Sequence, residues 1–130
     1  MNAKTLEAIT KHGNDLLAIF PNATERDPVA LCKKLRRIET RANKYATDQC
    51  NGHGPSIDSV EHAEKICSFE NAVCNLTMAG FPLLSEMGFF INMDPRGYAL
   101  KLDDEWTRAN APHIHRDWGG YGILAPDLTV

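Results

Sequence analysis

No run of apolar residues in this 130-residue sequence comes near the ~20 that span a bilayer. The N-terminal stretch MNAKTLEAIT lacks the basic-then-apolar order of a secretory signal. A cytoplasmic protein with no membrane partner is therefore expected. Cys32, Cys50, Cys67 and Cys74 contain no Cys-x-x-Cys pair, so the short paired spacings of a cysteine zinc site are missing. In a cytosolic chain the four are expected to be reduced and mostly buried. Walker loop, dinucleotide fingerprint, nucleophile elbow and protease-type Cys-His arrangement are all lacking, which weighs against the commonest enzyme classes and leaves any catalytic residues unknown. Repeats, low-complexity tracts and interdomain linkers are lacking too, and residues 1–130 are read as one domain. The net charge of −3 is mild and decides nothing about nucleic acid by itself.

What is present is helical pattern first and alternation later. Leu6, Ile9, Leu16, Leu17 and Phe20 share one face of a helix from about Thr5 to Phe20. Gly13 falls between them, where it either weakens the helix or marks the close approach of another backbone. Asp27 as N-cap and Pro28 as first helical residue open a second helix. Its stripe is Leu31, Leu35, Ile38, Ala42 and Tyr45. A third helix, capped by Ser56 or Asp58, has a broad apolar face of Val60, Ala63, Ile66, Cys67, Val73, Cys74 and Thr77, and stops at the sequence Ala79 to Pro82.

Alternation of Phe89, Ile91 and Met93, then Tyr98, Leu100 and Leu102, around Asp94-Pro95-Arg96-Gly97 predicts a β-hairpin over 89–102. The acidic run Asp103-Asp104-Glu105 should sit in water, and Thr107 to Pro112 reads as a polar connector. Tyr121, Ile123 and Ala125 suit a C-terminal strand. The expected fold is α+β, with about three N-terminal helices packed on a small antiparallel sheet.

Charge is distributed less evenly than its total suggests. At about 100° per residue, Lys33, Lys34, Arg36, Arg37, Arg41 and Lys44 all lie opposite the core stripe of the second helix, interrupted by Glu39 alone. That half-cylinder is either a solvated face or a contact surface for an acidic partner or a phosphate backbone. Nucleic acid is possible but disfavoured by the acidic total and by the lack of a binding motif. Trp106 and Trp118 flank polar loops, and Arg96, Arg116 and Trp118 are of the types that dominate binding hot spots, although the tryptophans equally suit the lid of a core.

Two constellations could carry chemistry. His113, His115 and Asp117 alternate, so an extended backbone turns them to one side, and two imidazoles with a carboxylate suit zinc or another divalent metal. The run resembles a metallo-β-lactamase signature, but that family needs more ligands and a longer chain, and the match is rejected. The DPRG turn and the segment His113 to Gly120 could together bind phosphate or carboxylate, with Arg96 gripping the anion and Asp94 or Asp117 as base. Ordinary turn chemistry accounts for Asp94, Pro95 and Gly97 equally well.

The segments Asn92 to Lys101 and Asp117 to Pro126, with Cys50-Asn51-Gly52 at the end of the basic helix, resemble a family of small accessory proteins of bacteriophages and prophages. The likeness covers about the last third of the chain and that helix end. It implies a phage or prophage origin and leaves enzymatic activity open; small accessory proteins of that class often bind and block a host protein or complex, CRISPR defence included, so an anti-CRISPR-like inhibitor without cofactor, acting in the host cytoplasm, is the expected function. The alternative is a small enzyme or ligand-binding protein using the DPRG and HIHRDWGG segments.

Overall fold

The computed structural model describes residues 3–87 and 104–113. They form five helices: α1 (Ala3–Ile19), α2 (Pro28–Cys50), α3 (Val60–Thr77), α4 (Phe81–Glu86) and α5 (Asp104–Asn110). The start of α2 is set as its sequence suggests. Asp27 stays extended and its Oδ2 accepts from Ala30 N at 2.9 Å, with Pro28 beginning the helix. At α3 the cap is Ser59 rather than the expected Ser56 or Asp58, and its Oγ accepts from His62 N at 3.1 Å. The helix ends where Met78 takes a left-handed conformation with φ 57°.

α1 and α2 form an antiparallel pair. Ile9, His12, Gly13 and Leu16 turn inward from α1 and meet Leu31, Cys32 and Leu35 of α2. Two contacts fix the spacing. The Cys32 thiol donates to the Ile9 carbonyl at 3.6 Å, and Gly13 rests against Pro28. A Cβ on Gly13 would come within 2.6 Å of Pro28 Cβ and closer still to the proline carbonyl. Close backbone approach is thus the reason for this glycine, and the helix continues through it.

α3 runs antiparallel to α2. Phe69, Val73 and Leu76 are buried, and Tyr45 packs on Phe69 with ring centroids 5.9 Å apart. The loop between α1 and α2 is tied to the far end of α3: Thr24 N donates to Leu76 O at 2.9 Å, and Thr24 Oγ1 donates to the same oxygen at 3.1 Å. Each large apolar side chain so buried contributes roughly 1.5–3 kcal/mol.

Several expectations need correction. Among the described residues there is no strand, and the α+β assignment gives way to helix packed on helix. The facing stripes of α1, α2 and α3 cover one another, so among the described residues the core is built of helix on helix. The hairpin expected over 89–102 and the strand at Tyr121, Ile123 and Ala125 lie outside the described residues.

The lead-in after Pro82 is helical, with Leu84 and Met87 buried. The expected connector is helical too: Thr107 and Ala111, one turn apart, are both buried, and Trp106 packs on the main core. A threonine and an alanine supply little hydropathy, which hid the period. α3 keeps the C-terminal part of its expected face, with Val73 and Thr77 buried and Ile66 and Cys74 packed on the core, but Val60, Ala63 and Cys67 are exposed and Phe69 and Leu76 are inside. The cysteines are free, but only Cys32 is buried; Cys50 and Cys67 are exposed. No helix among the described residues is long and apolar enough to cross a membrane.

Candidate functional site

The basic residues of α2 occupy the side away from the buried stripe, as the helical period requires. They are not equivalent. Lys34 Nζ lies 2.7 Å from Glu25 Oε1, an ion pair that joins α2 to the preceding loop. The Lys34 ammonium beside Glu25 holds that carboxyl below its usual range. Lys44 Nζ lies 3.4 Å from Asp48 Oδ2, one turn further along. Both pairs are exposed and contribute little to stability.

Lys33, Arg37 and Arg41 have no carboxylate in ion-pair range among the described residues. Arg36, Arg37 and Arg41 surround Thr40 in an open basin of about 610 Å³. The Arg41 Nε donates to the Arg37 backbone carbonyl at 3.4 Å, which lays the Arg41 side chain back along its own helix. Three planar, permanently charged guanidinium groups lining one basin suit carboxylate or phosphate groups of a macromolecular surface.

Arg36 also faces inward electrostatically. Glu39, buried three residues along, has its pKa pushed up to about 7 by burial, against a downward pull from Arg36. Glu39 Oε2 and Asn43 Oδ1, one turn apart, make no hydrogen bond. The sequence treated Glu39 as a break in the basic run; its burial between the face and the core is visible only in the structure.

On the other flank, α2 and α3 enclose a groove of about 320 Å³ with Ile38, Tyr45, Phe69 and Ala72 along its floor and Arg41, Lys65 and the paired Lys44 and Asp48 at its rim. The Tyr45 hydroxyl is fully engaged. Gln49 Nε2 donates to it at 2.9 Å, and it bonds His62 Nδ1 at 2.6 Å. Gln49 Nε2 also donates to the Pro55 carbonyl at 2.6 Å, which fastens the loop between α2 and α3. Lys65 and the aromatic floor escaped the sequence analysis because no local spacing links α2 to α3.

Of the proposed metal set, His113 alone is described. Its Nε2 lies 3.4 Å from Asp15 Oδ1 of α1. His115 and Asp117 lie outside the described residues, as do Asp94, Arg96, Arg116 and Trp118. Among the described residues no three His, Cys, Asp or Glu side chains gather as metal ligands. Comparisons with protein-family models, with curated proteins and with solved structures find no match.

Proposed function

We propose that this chain is a binding protein whose α2 face docks on an acidic surface of a host protein and blocks it. The observation that carries the reading is the cluster of Arg36, Arg37 and Arg41 around Thr40, with no carboxylate in range of Arg37 or Arg41 among the described residues. A helix surface kept only for solubility gains from interleaved charges of both signs, as at Lys34 with Glu25 and Lys44 with Asp48. Here the positive charge is left unmatched along one ridge. An acidic partner would gain association rate and charge-assisted hydrogen bonds from it. Protein is favoured over nucleic acid because the sequence is net acidic and carries no nucleic-acid-binding motif.

The test is affinity capture from bacterial lysate with the wild type and with an Arg36→Glu/Arg37→Glu/Arg41→Glu variant, each with and without nuclease. One protein held near stoichiometrically, resistant to nuclease and lost on charge reversal, is the expected result. Capture that survives charge reversal would remove α2 from the interface. Capture abolished by nuclease would give the face to nucleic acid.

A further inference from the structure

We propose that the groove between α2 and α3 is a subsite for an acidic peptide segment of the partner, taking a carboxylate between Arg41 and Lys65 with an adjoining apolar side chain on the aromatic floor. The proposal rests on the reading of the α2 face and adds the chemistry of what that face receives.

The two walls of the groove belong to different helices, and each brings a cation. Arg41 stands on α2, exposed, beside the arginine basin it also lines. Lys65 stands on α3 with its Nζ 5.6 Å from the centre of the Phe69 ring and 6.0 Å from that of Tyr45. An ammonium above two ring faces is held by their quadrupoles and keeps its other donors for a ligand. Neither Arg41 nor Lys65 has a carboxylate in range among the described residues, whereas Lys44 at the same rim is already paired with Asp48. The charge left over therefore sits on opposite walls, and an anion placed between them meets both.

The floor decides what carries the anion. Ile38, Phe69, Tyr45 and Ala72 offer hydrocarbon and ring edge. Tyr45 is 8% exposed and Phe69 7%, and the Tyr45 hydroxyl is already bonded by Gln49 and His62. Such rings offer no open face for a nucleobase to stack on. They do offer apolar surface to an aliphatic side chain. About 320 Å³ holds one or two side chains, at the lower end of small-ligand sites. Glutamate or aspartate next to leucine matches both the charge and the floor. Lengthening that segment toward Arg37 would carry it directly into the arginine basin.

The experiment is an NMR titration of the full chain with acetyl-Glu-Leu-Glu-Leu-amide, using acetyl-Gln-Leu-Gln-Leu-amide as the uncharged control. Saturable shifts in the Phe69 and Tyr45 ring signals are expected. Affinity should be at least fivefold lower for the control, lost in Lys65→Glu and largely kept in Lys65→Arg. Equal binding of both peptides, or shifts unchanged in Lys65→Glu, would overturn the proposal. Partner capture separates the two levels. If Lys65→Glu captures the partner normally while Arg36→Glu/Arg37→Glu does not, the groove is not the subsite and the α2 reading stands. If Arg36→Glu/Arg37→Glu captures normally but the acidic peptide still binds in a Lys65-dependent way, the α2 reading fails and the groove's preference for acidic peptide stands.

Discussion

Gly13 lets the backbone of α1 lie directly on Pro28, where a methyl group would be 2.6 Å from the proline Cβ. Pro28 is the first residue of α2 and its neighbour Asp27 caps that helix, so neither side yields without disturbing the cap. Gly13→Ala should therefore destabilise the fold by roughly 1–3 kcal/mol, although alanine in a helix interior is intrinsically better than glycine by about 1 kcal/mol. Urea unfolding of the two proteins measures the difference. An alanine variant as stable as the wild type would mean the helices move apart freely.

The sequence carried the beginning of α2 completely, because a cap and a proline are local chemistry. It also carried the two meanings of Gly13, and the structure selects one of them. It placed Val73 and Thr77 of α3 but not its N-terminal half, where apolar residues lie all round and only the neighbours decide that Val60 is 74% exposed and Phe69 is inside. Nor could it find α5, whose inner face is threonine and alanine. The basic face of α2 was legible from period alone. Which of its charges are matched was not, because Glu25 lies on a loop and reaches Lys34 across nine positions.

Glu39 gives stability a dependence on pH. Its pKa is raised by burial to about 7 from an ordinary 4.5. Between those values the folded chain holds a proton that the unfolded chain has released, so stability falls as pH rises through this window and levels off above it. Glu39→Gln should remove that decline and stabilise the protein at pH 8 by roughly 1–3 kcal/mol. Thermal unfolding from pH 4 to 8 for both proteins tests this. Parallel curves would show that Glu39 is better solvated than its surroundings indicate.

The chain Gln49–Tyr45–His62 couples a hydroxyl to a tautomer. Gln49 donates to the Tyr45 hydroxyl, and the expected arrangement has that hydroxyl donate in turn to His62 Nδ1 at 2.6 Å. Neutral His62 then carries its own proton on Nε2. Long-range ¹⁵N–¹H NMR should show this form in the wild type and a tautomer mixture in Tyr45→Phe. That variant should lose about 1–2 kcal/mol as Gln49 and His62 each lose a partner.

Thiol reactivity should follow burial. Cys67 and Cys50 are exposed, Cys74 is half-buried with its pKa raised by burial and then by Glu70, and Cys32 is buried with its pKa pushed up to about 12. Titration with an aromatic disulfide reagent should label two thiols quickly, a third slowly and Cys32 only on unfolding. Rapid labelling of Cys32 under native conditions would show that α1 lifts off α2.

The clasp of Thr24 onto Leu76 orders assembly in time. Gly13 and Pro28 are near neighbours along the chain, so the α1–α2 hairpin can zip from its own loop. The Thr24 hydrogen bond spans 52 residues and has nothing to hold until α3 is in place. The amide of Thr24 should accordingly gain protection from exchange later during refolding than the amides of α1 and α2. It serves as a clock for the arrival of the third helix.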